Sequence, residues 1–123
     1  MPAGLVDRTL APSSASLAQL DGLDVPRLGR WPRGVDLDGF HPGLRDPGLR
    51  RQLAPDGRLL VGYVGRLAPE KELDLLTYLS GDPRYALVVV GGGPEEGRLR
   101  RLLPDAHFLG VLHGAELGRA YAS

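Results

Sequence analysis

Two apolar runs dominate the hydrophobic pattern: Leu59-Leu60-Val61-Gly62-Tyr63-Val64 and Tyr85-Ala86-Leu87-Val88-Val89-Val90. Both are continuous rather than alternating, as strands are when a parallel sheet is covered on both faces. Gly57 and Gly65 bound the first, and Gly91-Gly92-Gly93 ends the second. Between them, Leu73, Leu76 and Leu79, widened by Leu75 and Tyr78, predict a helix over 69–79. Leu99, Leu102 and Leu103 predict another over 94–103. Its acidic residues, Glu95 and Glu96, come first and Arg98, Arg100 and Arg101 later, as the helix dipole favours. A short strand over 106–109, Gly110 and a helix over 115–121 complete the pattern. Strand and helix alternate three times, which implies a parallel α/β sheet with right-handed crossovers.

The first half of the chain is less regular. Residues 6–11 read as a short strand, and Pro12-Ser13-Ser14 starts a helix whose stripe is Leu17, Leu20 and Leu23. A second strand over 25–31 is interrupted by Pro26. Residues 32–48 hold Pro32, Pro42, Pro47 and Gly34, Gly39, Gly43, Gly48, a linker composition. Asp46-Pro47 then fits an N-cap followed by proline at the first helical position, leading a short helix through Leu49, Leu53 and Ala54.

Composition narrows the function. The 123 residues carry 15 basic and 15 acidic side chains, so the formal net charge is zero and no nucleic-acid footprint is present. Residues 27–66 nevertheless hold eight Arg against four Asp, an imbalance that a solvated surface accounts for. There is no Cys, which excludes disulfides and thiolate metal sites. His41, His107 and His113 are scattered and are expected to be structural or exposed, so no metal is called for. No apolar run approaches the ~20 residues of a membrane span. Met1-Pro2-Ala3-Gly4-Leu5 lacks the order of a signal peptide, so a cytoplasmic protein is expected. Asn and Ile are absent and fourteen of fifteen basic residues are Arg, the signature of a GC-rich gene. Lys71 stands out against that background, either by chance or because a compact ammonium is needed there.

In parallel α/β sheets ligands sit beyond the carboxyl ends of the strands. All three expected strand ends carry glycine: Gly65, Gly91 to Gly93, and Gly110. Such turns let backbone N–H groups approach a phosphate, or are plain turns. The turn Gly65-Arg66-Leu67-Ala68-Pro69-Glu70-Lys71 places two cations beside an expected helix N-terminus, which normally prefers Asp or Glu. An anion between Arg66 and Lys71 resolves that conflict, the guanidinium binding phosphate bidentately and the ammonium as a point charge. Neutralisation of Lys71 by Glu70 and Glu72 is the other resolution.

Residues 64–71 closely resemble the motif that opens the donor domain of family-4 retaining glycosyltransferases of the two-domain GT-B type. Arg33-Gly34-Val35-Asp36 with Phe40-His41-Pro42 resembles the family's interdomain linker. Val88 to Glu95 and Phe108-Leu109-Gly110 resemble its next two strand ends. The likeness runs from about Thr9 to Ser123, and Trp31-Pro32 before Arg33 makes it most similar to bacterial mannosyltransferases that use GDP-mannose.

The resemblance implies a partial Rossmann-like parallel sheet, the first half of the GT-B donor domain, preceded by the last strand and helix of the acceptor-side domain. The expected division is 1–26 for the acceptor-side remnant, 27–48 for the linker and 49–123 for the donor part. Gly65, Arg66 and Lys71 are then expected to hold the donor diphosphate. Gly91, Gly93, Pro94 and Glu95, with Phe108, Leu109, Gly110 and Val111, are expected to line the nucleoside pocket. Phe108 is expected in the core in preference to stacking on a base, and Trp31 either covers the domain junction or packs ordinarily. The donor is expected to be a nucleotide-sugar, GDP-mannose above others, without a metal or other cofactor. The acceptor is unassigned, and a glycolipid at the inner membrane surface fits the parent enzyme. The family usually has glycine where this chain has Glu72, which puts the helix entry in question. The glutamate pair of the family, separated by seven residues and contacting the donor sugar and ribose, lies beyond this chain, so no catalytic residue is assigned. The segment is expected to be inactive alone and to associate through an unfinished sheet edge. A free-standing nucleotide-sugar-binding or interaction module is the alternative.

Overall fold

The computed structural model describes residues 7–123. The first residue of the strand expected over 6–11, and Met1 to Leu5, lie outside the described residues. The chain divides into two compact units between Asp36 and Leu37, inside the segment with linker composition.

The first unit is a single βαβ turn. Strand β1 (Thr9–Ala11) and strand β2 (Leu28–Arg30) pair in parallel, with Thr9 opposite Leu28 and Ala11 opposite Arg30. Helix α1 (Ser14–Asp21) connects them. It starts where the sequence places it, because the Ser13 hydroxyl accepts the Ser16 N–H at 3.1 Å. Its own burial is slight: among the described residues of this unit only Ala11 is buried.

The second unit carries a three-stranded parallel sheet in the order β3-β4-β5, from β3 (Leu59–Val64), β4 (Tyr85–Val90) and β5 (His107–Gly110). Helix α2 (Pro47–Leu53) precedes it, α3 (Glu96–Leu102) joins β4 to β5, and α4 (Gly114–Ala122) follows. Asp46 caps α2 as expected, its carboxylate accepting from the N–H groups of Gly48 at 2.8 Å and Leu49 at 3.1 Å. Side chains of β4 alternate between two cores. Leu87 and Val89 face a cluster with Leu67, Leu73, Leu99 and Leu103. Val88 and Val90 face another built on Leu53, with Leu49 and Leu117 against it. Burying both faces is what makes the β4 sequence a continuous apolar run.

The helix expected over 69–79 is not one α-helix. Two 3-10 turns, Pro69–Lys71 and Leu73–Tyr78, meet at Glu72, whose φ of 50° and ψ of 42° are left-handed. An α-helix cannot pass through that conformation, which costs a residue with a Cβ about 1–2 kcal/mol. The spacing of three between Leu73, Leu76 and Leu79 suits a 3-10 turn, where residues i and i+3 eclipse.

Candidate functional site

The carboxyl ends of β3, β4 and β5 are laced together by backbone hydrogen bonds. Gly65 donates to Val90 at 3.0 Å, and Leu67 donates to Gly92 at 2.9 Å. Glu95 donates to the Leu67 carbonyl at 3.0 Å, and Gly91 donates to Gly110 at 2.8 Å. The turn after β3 therefore continues the parallel ladder one step beyond the sheet. A Cβ on Gly91 would fall on the Gly65 carbonyl, and one on Gly93 on the Leu67 carbonyl, with φ values of 136° and 155°. Glycine at these two positions is thus required by one backbone crossing another. At Gly92 a Cβ would come to 3.1 Å from a methyl group of Val111, so the turn after β5 lies against the same crossing. The β4–β5 register slips between Val89 and Val90, leaving Leu109 as the extra residue beside this edge.

Of the expected diphosphate residues, Gly65 lies within this ladder and Arg66 projects from it. The Arg66 guanidinium is exposed and ion-paired to Glu70. Its carbonyl accepts the Tyr63 hydroxyl at 2.9 Å. Lys71 is exposed on the first 3-10 turn, and its ammonium has no ion-pair partner among the described residues. The carboxylate beside the cations thus neutralises Arg66, not Lys71. Because residues 69–71 form a 3-10 turn of three residues, the expected α-helix N-terminus beside Lys71 is absent, and the helix dipole argument for an anion there falls away.

The expected nucleoside residues divide by what their side chains do. Phe108 packs against the Leu87–Leu99 cluster, and the Arg100 guanidinium lies over its ring at 4.7 Å, so it is a core residue. Leu109 packs with Val88 and Val90 on the other face. Gly91, Gly93 and Gly110 contribute backbone, and Val111 stays exposed.

Glu95 belongs to a charged cluster. Arg98 donates to Glu95 at 2.6 Å and to the two Asp74 oxygens at 2.6 and 3.2 Å. Hydrogen bonding from Arg98 holds the Asp74 carboxyl below its ordinary range, and the two carboxylates raise Arg98 in return. These groups border an open cleft of roughly 440 Å³ that also meets Pro69, Glu72 and Leu73. Arg66 and Lys71 do not line it.

Leu67 is a part of this region that the sequence pattern does not single out. It is fully buried, its N–H and carbonyl both bond the turn after β4, and its side chain anchors the Gly65–Lys71 turn in the core. An apolar residue three positions past the end of a strand, between Arg66 and Ala68, is the signal that could have found it. Among the described residues no three His, Asp or Glu side chains gather as a metal site, and no helix is long and apolar enough to cross a membrane.

The chain matches known proteins over nearly its whole length. It is 50% identical over 119 residues to a GDP-mannose-dependent alpha-mannosyltransferase of Mycobacterium tuberculosis, covering 97% of this chain and 32% of that protein. It is equally identical to the enzyme of the same name from Mycolicibacterium smegmatis, covering 95% and 31%. A sulfoquinovosyl transferase of Arabidopsis thaliana is 35% identical, covering 95% and 24%. The chain thus spans about a third of the length of the first curated relatives it matches. No family model matches. Among solved structures, Anabaena HepE in complex with UDP and glucose superimposes with a TM-score of 0.61 at 19% identity, covering 95% of this chain and 36% of that one. HepE in complex with UDP-glucose gives 0.57 at 21% identity, covering 88% and 34%. The mixed α/β fold with parallel sheets matches the GT-B fold of these neighbours over the third or so of their length that is covered. The curated relatives it matches at about 50% identity are GDP-mannose-dependent alpha-mannosyltransferases, each covered over about a third of its length.

Proposed function

We propose that this chain is the segment of a retaining hexosyltransferase that holds the diphosphate of a nucleotide-sugar, with GDP-mannose as the donor. The observation that carries the reading is the rigid turn after β3. It is tied at Gly65 and Leu67 to the turn after β4, and it carries Arg66 and Lys71, the latter with no ion-pair partner among the described residues. The 50% identity to GDP-mannose-dependent enzymes supports the choice of nucleotide and sugar. HepE was crystallised with UDP and UDP-glucose, which supports a nucleotide-sugar site on this fold.

In this reading Arg66 leaves Glu70 to bind phosphate oxygens as a fork, and Lys71 approaches as a point charge. Both stabilise charge that develops on the departing diphosphate as the glycosidic bond breaks. Residues 91–95 and 108–111 supply the backbone wall of the nucleoside pocket. The division into an acceptor-side remnant (1–26), a linker (27–48) and a donor part (49–123) belongs to the same proposal. So do a cytoplasmic location, an acceptor presented at the inner membrane surface, and the absence of transfer activity in this segment by itself.

Calorimetric titration with GDP and UDP tests the reading. Binding that favours GDP, persists in EDTA and weakens about tenfold or more in Arg66→Ala and in Lys71→Ala is expected. A folded chain that binds neither nucleotide, or whose binding survives both substitutions, would refute it.

A further inference from the structure

The arginine excess noted in residues 27–66 is not used by the donor turn, which takes only Arg66. Four of the others, Arg45, Arg50, Arg51 and Arg58, border one open cleft of roughly 340 Å³. Its apolar wall is Pro47 and Ala54. The cleft lies where α2 ends and β3 begins. Arg58 donates to the carbonyl of Tyr85, the first residue of β4, at 3.2 Å. That is the amino end of the strands. The Gly65 and Gly91 turns lie at the other end, six residues along, or about 20 Å away at the rise of a strand.

Of the four guanidinium groups only that of Arg58 is paired with a carboxylate side chain among the described residues. Asp56 accepts from Arg58 at 3.0 Å, and this bond lowers the Asp56 carboxyl below its ordinary range. Asp46 accepts the backbone N–H groups that start α2. Arg50 is half-buried and donates to the Ser123 carbonyl. Arg45 and Arg51 are exposed and have no ion-pair partner among the described residues. Arg50 and Arg58 are thus held in place, Arg58 by Asp56 and a backbone carbonyl together, while Arg45 and Arg51 are left with open donors beside Gly57, where an added Cβ would meet nothing within 4 Å.

We propose that this cleft is a second anion site, separate from the donor turn, that takes a phosphate group. Planar guanidinium forks match phosphate oxygens bidentately, and positions fixed in advance reduce the ordering cost of binding. A phosphate in reach of this cleft comes either from an acidic lipid headgroup or from a soluble phosphate ester. The chemistry of recognition is shared.

Inorganic phosphate is the first probe, titrated into the full chain at constant ionic strength set with chloride and followed by backbone amide NMR. Saturable shifts at Arg51 and Gly57 are expected. The Arg45→Ala/Arg51→Ala double variant should bind at least about fivefold more weakly. Arg66→Ala should leave these shifts unchanged, so the outcome is independent of the donor reading. Shifts that grow linearly without saturating would overturn the proposal. So would a double variant that binds phosphate like the parent while keeping its circular dichroism. Co-sedimentation with phosphatidylglycerol vesicles but not phosphatidylcholine vesicles, lost in the double variant, assigns the phosphate to lipid. Phosphate saturation with no vesicle binding assigns it to a soluble ligand.

Discussion

The two compact units share a plan, parallel strands joined by helical crossovers, and differ in what covers the strands. Among the described residues of the unit up to Asp36, Ala11 alone is buried, while Leu23, Trp31 and Val35 are each more than 60% exposed. In the unit from Leu37 onward β4 contributes five successive buried residues, of which Leu87 to Val90 alternate between two cores. Local signals are correct in both: Ser13 caps α1 as well as Asp46 caps α2. Capping and propensity therefore place elements, and apolar area removed from water decides whether the assembly stands by itself.

The sharpest way to break this comparison is to separate the units. A peptide of residues 7–36 should show no cooperative melt by circular dichroism, whereas 37–123 should retain one. A cooperative transition in the short peptide would remove the contrast. Next in size are changes inside the second unit. Leu67→Ala should cost about 2–5 kcal/mol in denaturant unfolding, because it opens a cavity at a fully buried site. Gly91→Ala should cost about 1–3 kcal/mol or more and also weaken GDP binding, since a Cβ there meets the Gly65 carbonyl.

Two smaller effects sharpen the contrast within the second unit itself. β3 is the less buried neighbour of β4, and Leu59 on it is 60% exposed. If chains associate along that edge, Leu59→Lys should shift sedimentation toward monomer without lowering the melting temperature by more than a few degrees. Glu72→Gly should stabilise by about 0.5–1 kcal/mol, by relieving a left-handed residue.

The smallest effect is acid sensitivity. Arg84 lowers the Asp82 carboxyl to about 2, and Arg98 lowers that of Asp74. A carboxyl depressed in the folded state stabilises fully above its unfolded value, near 3.8, and loses that contribution as pH falls toward the folded value. Stability should therefore be flat from pH 7 to about 4 and decline between about 4 and 2. Asp82→Asn should flatten part of that decline. Asp74 is exposed, and Asp82, though half-buried, pairs with an exposed Arg84, so solvent screening should keep the change small.

Much of this was legible in sequence. The runs at 59–64 and 85–90 are both strands of the sheet, but only the second is buried on both faces, as its lack of polar alternation implies; β3 carries the same apolar run with Leu59 exposed. The caps at Ser13 and Asp46 follow from local hydrogen bonding, which needs no tertiary knowledge. The leucine spacing in 69–79 fits an α-helix as well as a 3-10 turn, and a glutamate gives no warning of a positive φ. The role of Gly91 and Gly93 was ambiguous for a different reason. Glycine that admits a ligand and glycine that admits another backbone look the same in a sequence. Only the crossing with Gly65 and Leu67 separates them.

That crossing also sets a timescale. The amides of Gly65, Leu67 and Gly91 are bonded as strand amides are, although they lie in turns. Their hydrogens should exchange with solvent about as slowly as those of β4, by opening of the whole sheet rather than of a loop. A ligand arriving at this edge therefore meets a wall already in place, and any segment that must move to admit it lies elsewhere, among the 3-10 turns past Ala68.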